Sequence, residues 1–192
     1  MNTKGKDLTK EPPRSPKTRV SGYAILGRTI DKCRVLLWGN IGEYHFDCPL
    51  DNMLFGFKAV KGNDFKAFVE TGANDEEIAK WLDHNGTSRS EEEKRAWGEE
   101  VMKENPFHNP EKRDWYVDAL KSSTGQDPKT TPLFDWLEAD DKVSFKKAAL
   151  VSSAESEMWR GTRCRAPYFF ASGTRQRASL HAVPERFRTT EN

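Results

Sequence analysis

The sequence predicts a mostly α-helical domain, and three observations carry that reading. Apolar residues recur at spacings of three and four, as one face of a helix requires. Capping residues stand ahead of several such stretches, at Asn74, Ser90, Asn109 and Thr131. No run of alternating apolar and polar residues has the length of a strand. The expected architecture is a compact single domain of about six or seven short helices over residues 21–146. It lies between a flexible N-terminal arm and a poorly structured C-terminal tail.

Residues 1–20 hold Pro12, Pro13 and Pro16 among Lys, Arg, Ser and Thr, a composition that forms no core and reads as a disordered basic arm. Tyr23, Leu26, Ile30, Cys33 and Leu37 then trace one stripe of a helix, with Ser21 as its expected cap and Gly39 as its end. Cys33 lies on this stripe and is expected to be buried and inert. Met53, Leu54, Phe55 and Phe57 suggest a short buried helix. Asn63 or Asp64 opens the next, with Phe65, Phe68 and Val69, stopped at Gly72.

Asn74 with Glu77, and Ser90 with Glu93, are capping-box pairs. The first helix carries Ile78, Trp81 and Leu82, and the second Trp97, Val101 and Met102. Asn109-Pro110 sets a cap before a proline at the first helical position and opens a helix with Trp115, Tyr116 and Leu120. Thr131-Pro132 repeats the device ahead of Leu133, Phe134 and Leu137. Asp140 is expected to open a separate last turn through Phe145.

Beyond Lys147 the chain changes character. No lysine occurs there, arginine replaces it, and the helical periodicity fades, so residues 147–192 read as the tail. The body from 21 to 147 is net acidic and both ends are basic. That distribution argues against a nucleic-acid-binding body, which asks for a concentrated basic face. No apolar run approaches a membrane span. The three cysteines are odd in number and far apart, which suits a reducing compartment. A cytoplasmic protein follows as the expectation.

One block carries the densest chemistry: Gly42-Glu43-Tyr44-His45-Phe46-Asp47-Cys48-Pro49-Leu50-Asp51. Candidate site residues are Glu43, Tyr44, His45, Asp47, Cys48 and Asp51. His45 and Cys48 have the spacing of one half of a zinc site, but no second close pair accompanies them, so neither a metal nor another cofactor is expected. Cys48 could act as a nucleophile beside His45, though no oxyanion donor is visible. Asp47 or Asp51 suits a helix cap after Pro49. Alternation along the block turns Tyr44 and Phe46 inward and His45 outward. Burying so many polar groups without partners would be costly, so His45 and a carboxylate are expected at the rim of a concavity.

The chain also resembles a known bacterial family. Asp7-Leu8-Thr9-Lys10, Pro13-Arg14-Ser15-Pro16, Gly22-Tyr23-Ala24-Ile25-Leu26 and Thr29-Ile30-Asp31-Lys32 carry the likeness, together with the whole dense block. Gly72-Ala73 with Asp75-Glu76-Glu77, Glu111-Lys112-Arg113-Asp114-Trp115 and Leu133-Phe134-Asp135-Trp136-Leu137 continue it to about residue 146. It is similar to domain-of-unknown-function family 5069, a likeness that implies a small soluble bacterial domain and no activity. Two functional readings remain: a binding or interaction protein using the 42–57 loop, toward a small molecule or a protein, and an enzyme or metal-dependent protein using His45, Cys48 and nearby carboxylates.

Overall fold

In the computed structural model, residues 6–151 are described, with side chains through residue 145. They form seven α-helices: α1 (Leu26–Trp38), α2 (Pro49–Lys58), α3 (Gly62–Glu70), α4 (Asp75–His84), α5 (Glu91–Lys103), α6 (Pro110–Ser123) and α7 (Leu133–Val151). A short 3₁₀ turn, Pro106–His108, precedes α6. Among the described residues there are no strands, only isolated bridges between Asp7 and Asn40 and between Val20 and Tyr23. No helix among them is long and apolar enough to cross a membrane.

The caps of α4, α5 and α6 stand where the sequence puts them. The Asn74 and Ser90 side chains accept from the Glu77 and Glu93 amides, and each glutamate reaches back to its cap. Asn109 accepts from the Glu111 amide. Other boundaries differ from expectation: α3 begins at Gly62, ahead of Asn63 and Asp64, and α7 at Leu133, two residues past Thr131. Helix α1 begins at Leu26 rather than after Ser21; Ile25 precedes it with φ +68°, an unusual value for a β-branched residue. Helix α7 runs unbroken through Asp140, because Asp141 turns inward to a buried partner instead of opening a new turn.

Helix α1 is the central element, in contact with α2, α3 and α4. Its predicted stripe is correct: Tyr23, Leu26, Ile30 and Cys33 are fully buried in the main core with Leu54, Phe65, Ile78 and Leu82. The opposite face carries Arg28, Asp31, Lys32 and Val35, which share one side of a helix at 3.6 residues per turn. They too are buried.

What covers that second face is largely the N-terminal arm, and here the reading of 1–20 as disordered needs correction for residues 6–20. They form no helix or strand, yet they lie on the body. The Arg14 side chain grips Asp31 through Nη2 at 2.8 Å, and its own amide donates to the same carboxylate at 2.8 Å. Arg14 Nη1 also reaches Asp75 at 2.5 Å. Lys17 pairs with Asp135 and Glu138 on α7, and Ser15 donates to Glu138. Leu8 is buried against Val35 and Tyr44. The arm reads as solvated because its residues are charged; it docks because acceptors on α1, α4 and α7 wait beneath it. The expected tail begins at 147, but α7 continues to Val151; the rest of the tail, 152–192, lies outside the described residues.

Candidate functional site

The dense block folds as an irregular segment that leads into α2. Tyr44 is 1% exposed, and its hydroxyl donates to Asp141 on α7 at 2.7 Å. Asp141 in turn receives both Nη atoms of Arg28, at 2.7 and 3.2 Å. The Arg28 guanidinium also lies 5.5 Å from the Tyr44 ring centroid. A buried tyrosine needs a partner for its hydroxyl, and here that partner comes from a residue almost a hundred positions away.

At the other end of the block, Asp51 is fully buried. Lys32, also fully buried, donates to it at 2.8 Å, and the Thr29 hydroxyl donates at 2.7 Å. The Cys48 amide donates to Asp51 at 3.4 Å, so Asp51 closes the first turn of α2, as its sequence position suggests. Lys32 Nζ also lies 3.1 Å from Cys48 Sγ. Of the carboxylates expected to cap the helix or line a rim, Asp51 is thus the cap and lies on no rim. It is also an anchor, because a lysine on α1 makes burying its charge tolerable.

Between these anchors the chain turns outward. His45 and Asp47 are exposed, Glu43 and Cys48 half-buried. Phe46 points in and packs against Phe55 and Phe65, at centroid distances of 6.0 and 6.1 Å. Asp47 adopts φ +59°, and its carboxylate lies against the start of α3. A Cβ at position 62 would sit 2.6 Å from that carboxylate, so any other residue there would push the Asp47 side chain aside. The position also favours a negative charge at a helix N-terminus.

The structure thus sorts the six candidates. Tyr44 and Asp51 hold the segment from beneath, Cys48 meets Lys32, and Glu43, His45 and Asp47 face outward. Lys32, not His45, makes the hydrogen bond to Cys48. Among the described residues no group of three His, Cys, Asp or Glu side chains is arranged to hold a metal ion. The residues that organise the segment from a distance, Arg28, Thr29, Lys32 and Asp141, were not candidates from sequence. One signal was available: Arg28 and Lys32 are four apart on α1, directly opposite its apolar stripe.

A second ionic cluster joins α4 to α5. Lys94 pairs with Asp83 and Glu91, and Tyr23 donates to Asp83 at 2.7 Å. Burial and the Asp83 charge both push the Tyr23 hydroxyl well up. An open groove beside it, lined by Arg19, Gly22, Glu91, Glu92, Arg95 and Glu99, carries both signs of charge.

Over residues 10–143 the sequence matches the family described as Domain of unknown function (DUF5069). No curated protein matches the chain.

Proposed function

We propose that this chain, which belongs to the DUF5069 family, is a small binding or interaction protein whose recognition surface is the 42–57 region. One observation carries the reading: a short irregular segment is fixed at both ends by buried polar anchors, Tyr44 on Asp141 and Asp51 on Lys32, while His45 and Asp47 face solvent. A loop held this way loses little freedom when it binds, so its exposed groups can be spent on recognition. Glu43, His45 and Asp47 offer two carboxylates and an imidazole around Phe46, a set suited to a polar or basic group on a small molecule or a protein. A cytoplasmic location in a bacterium completes the proposal, supported by the free thiols of Cys33 and Cys48.

The test compares two surfaces. His45→Ala should abolish retention of a partner while leaving the urea midpoint unchanged, since His45 is exposed. Amide exchange of the complex should show protection at 42–57. Retention that survives this variant but disappears with Leu36→Ala/Trp38→Ala would move the site to the exposed end of α1, where Leu36 is 45% and Trp38 41% exposed.

A further inference from the structure

Two cysteines among the described residues are free, and their surroundings differ. Cys33 is fully buried on the apolar stripe of α1, and burial, with Asp51 nearby, pushes its thiol up to about 12. Such a thiol is inert. Cys48 is partly exposed, caps the N-terminus of α2, and lies 3.1 Å from the Lys32 amine. The amine is fully buried, while residue 48 is only half-buried and keeps part of its surface in solvent. Lys32 is also 2.8 Å from Asp51, a carboxylate able to take a proton from it. Nitrogen, sulfur and a proton acceptor are therefore already assembled.

We propose that Cys48 and Lys32 are a redox modification site, at which a hydroperoxide drives a sulfur–nitrogen bond between the loop and α1. In the first step the Cys48 sulfur attacks the hydroperoxide oxygen. A sulfur–oxygen bond forms, the oxygen–oxygen bond breaks, the departing oxyanion takes the thiol proton and leaves as water (from hydrogen peroxide) or an alcohol, and the sulfur is oxidised by two electrons to the sulfenic acid. In the second step Asp51 takes a proton from Lys32, and the neutral amine attacks the sulfur. The sulfur–oxygen bond breaks, and the hydroxide leaves as water after taking a proton. With hydrogen peroxide, one thiol and one amine give one sulfenamide and two waters. Sulfenic acids condense with nitrogen in this way when one is held against them. The bond would staple residue 48 to residue 32 and fix the loop; a small thiol would reverse it by attacking the sulfur. The inference holds whatever the loop recognises.

The experiment treats the full-length protein with hydrogen peroxide and digests it without reductant. The expected major product has lost two hydrogens, a shift of about 2 Da, and yields a joined peptide linking Lys32 to Cys48. Dithiothreitol should restore the original mass. Joined peptides linking Cys48 to Cys33 or Cys164, Cys48 recovered only as sulfinic or sulfonic acid, or Cys48 unmodified would each overturn the proposal. Lys32→Arg keeps a cation opposite Asp51 and should lose the joined peptide, while Cys48 remains trappable as a sulfenic acid by dimedone. A joined peptide that persists in this variant through another lysine would overturn the assignment to Lys32. Should Lys32→Arg not fold, the digest of the unaltered protein still decides.

Discussion

The two faces of α1 are equally buried and differ in almost everything else. On one, Leu26, Ile30 and Cys33 meet the aromatic and aliphatic side chains of α2, α3 and α4. On the other, Arg28, Asp31 and Lys32 meet Asp141, Arg14 and Asp51, each delivered by a different segment of the chain. The first face stabilises by area removed from water and tolerates any partner of the right size. The second works only when each charge finds its opposite, since an ion left alone in the interior costs several kcal/mol. Hydrophobic burial makes the domain compact. The ionic face decides where the arm, the 42–51 segment and α7 sit, and thereby which groups of the candidate site reach solvent.

The largest effect that would sharpen this contrast is expected at Asp141. Asp141→Ala removes the carboxylate shared by Arg28 and Tyr44, and should cost about 3 kcal/mol in urea unfolding. Amide exchange at 41–48 should rise as well, because Tyr44 loses its hold. A loss below about 1 kcal/mol would mean that the second face is solvated in practice.

A smaller effect is expected at the arm. Arg14→Ala should cost about 2 kcal/mol near neutral pH, by stripping a charged donor from Asp31 and Asp75. Burial works against the Asp75 charge, but Arg14 and Arg34 outweigh it and hold its carboxyl below the ordinary 3.8. A carboxylate lowered in the folded state stabilises at pH above its unfolded value, and that stabilisation is lost as pH falls through the folded value. The gap between the two proteins should therefore narrow below about pH 4, as chemical denaturation at several pH values would show. A gap that widens there would assign the arm's docking to something other than these carboxylates.

The smallest effect is a gain. Ala59 ends α2 with φ +52° in the left-handed region and is exposed. Ala59→Gly should raise stability by about 0.5 kcal/mol, read as a higher melting temperature, without touching either face.

The difference between the faces also explains what the sequence made legible. The stripe Tyr23, Leu26, Ile30, Cys33 and the caps Asn74, Ser90 and Asn109 are local signals, readable within one or two turns, and they are correct. Phe46 and Tyr44 turning inward and His45 outward follow from alternation alone. The ionic face is illegible for the opposite reason. Arginine, lysine and aspartate are mostly exposed, so Arg14, Arg28 and Lys32 read as solvent-facing. Their partners lie 17, 113 and 19 positions away. No spacing rule links residues so distant, and Asp141, next to the Asp140 expected to open a new turn, is the buried end of such a pair. Asp51 was read correctly as a helix cap but not as an ion held by α1, since only the folded chain brings Lys32 beneath it.

The most direct measurement is a double-mutant cycle on that pair, with urea unfolding of Lys32→Met, Asp51→Leu and the double variant. Each single change leaves one buried charge without its main partner and should lose about 3 kcal/mol; the double variant removes both charges and should be more stable than either single one. If the two losses instead add, so that the double variant is the least stable of the three, Lys32 and Asp51 contribute by volume like Ile30 or Leu54, and the second face of α1 is no ionic core.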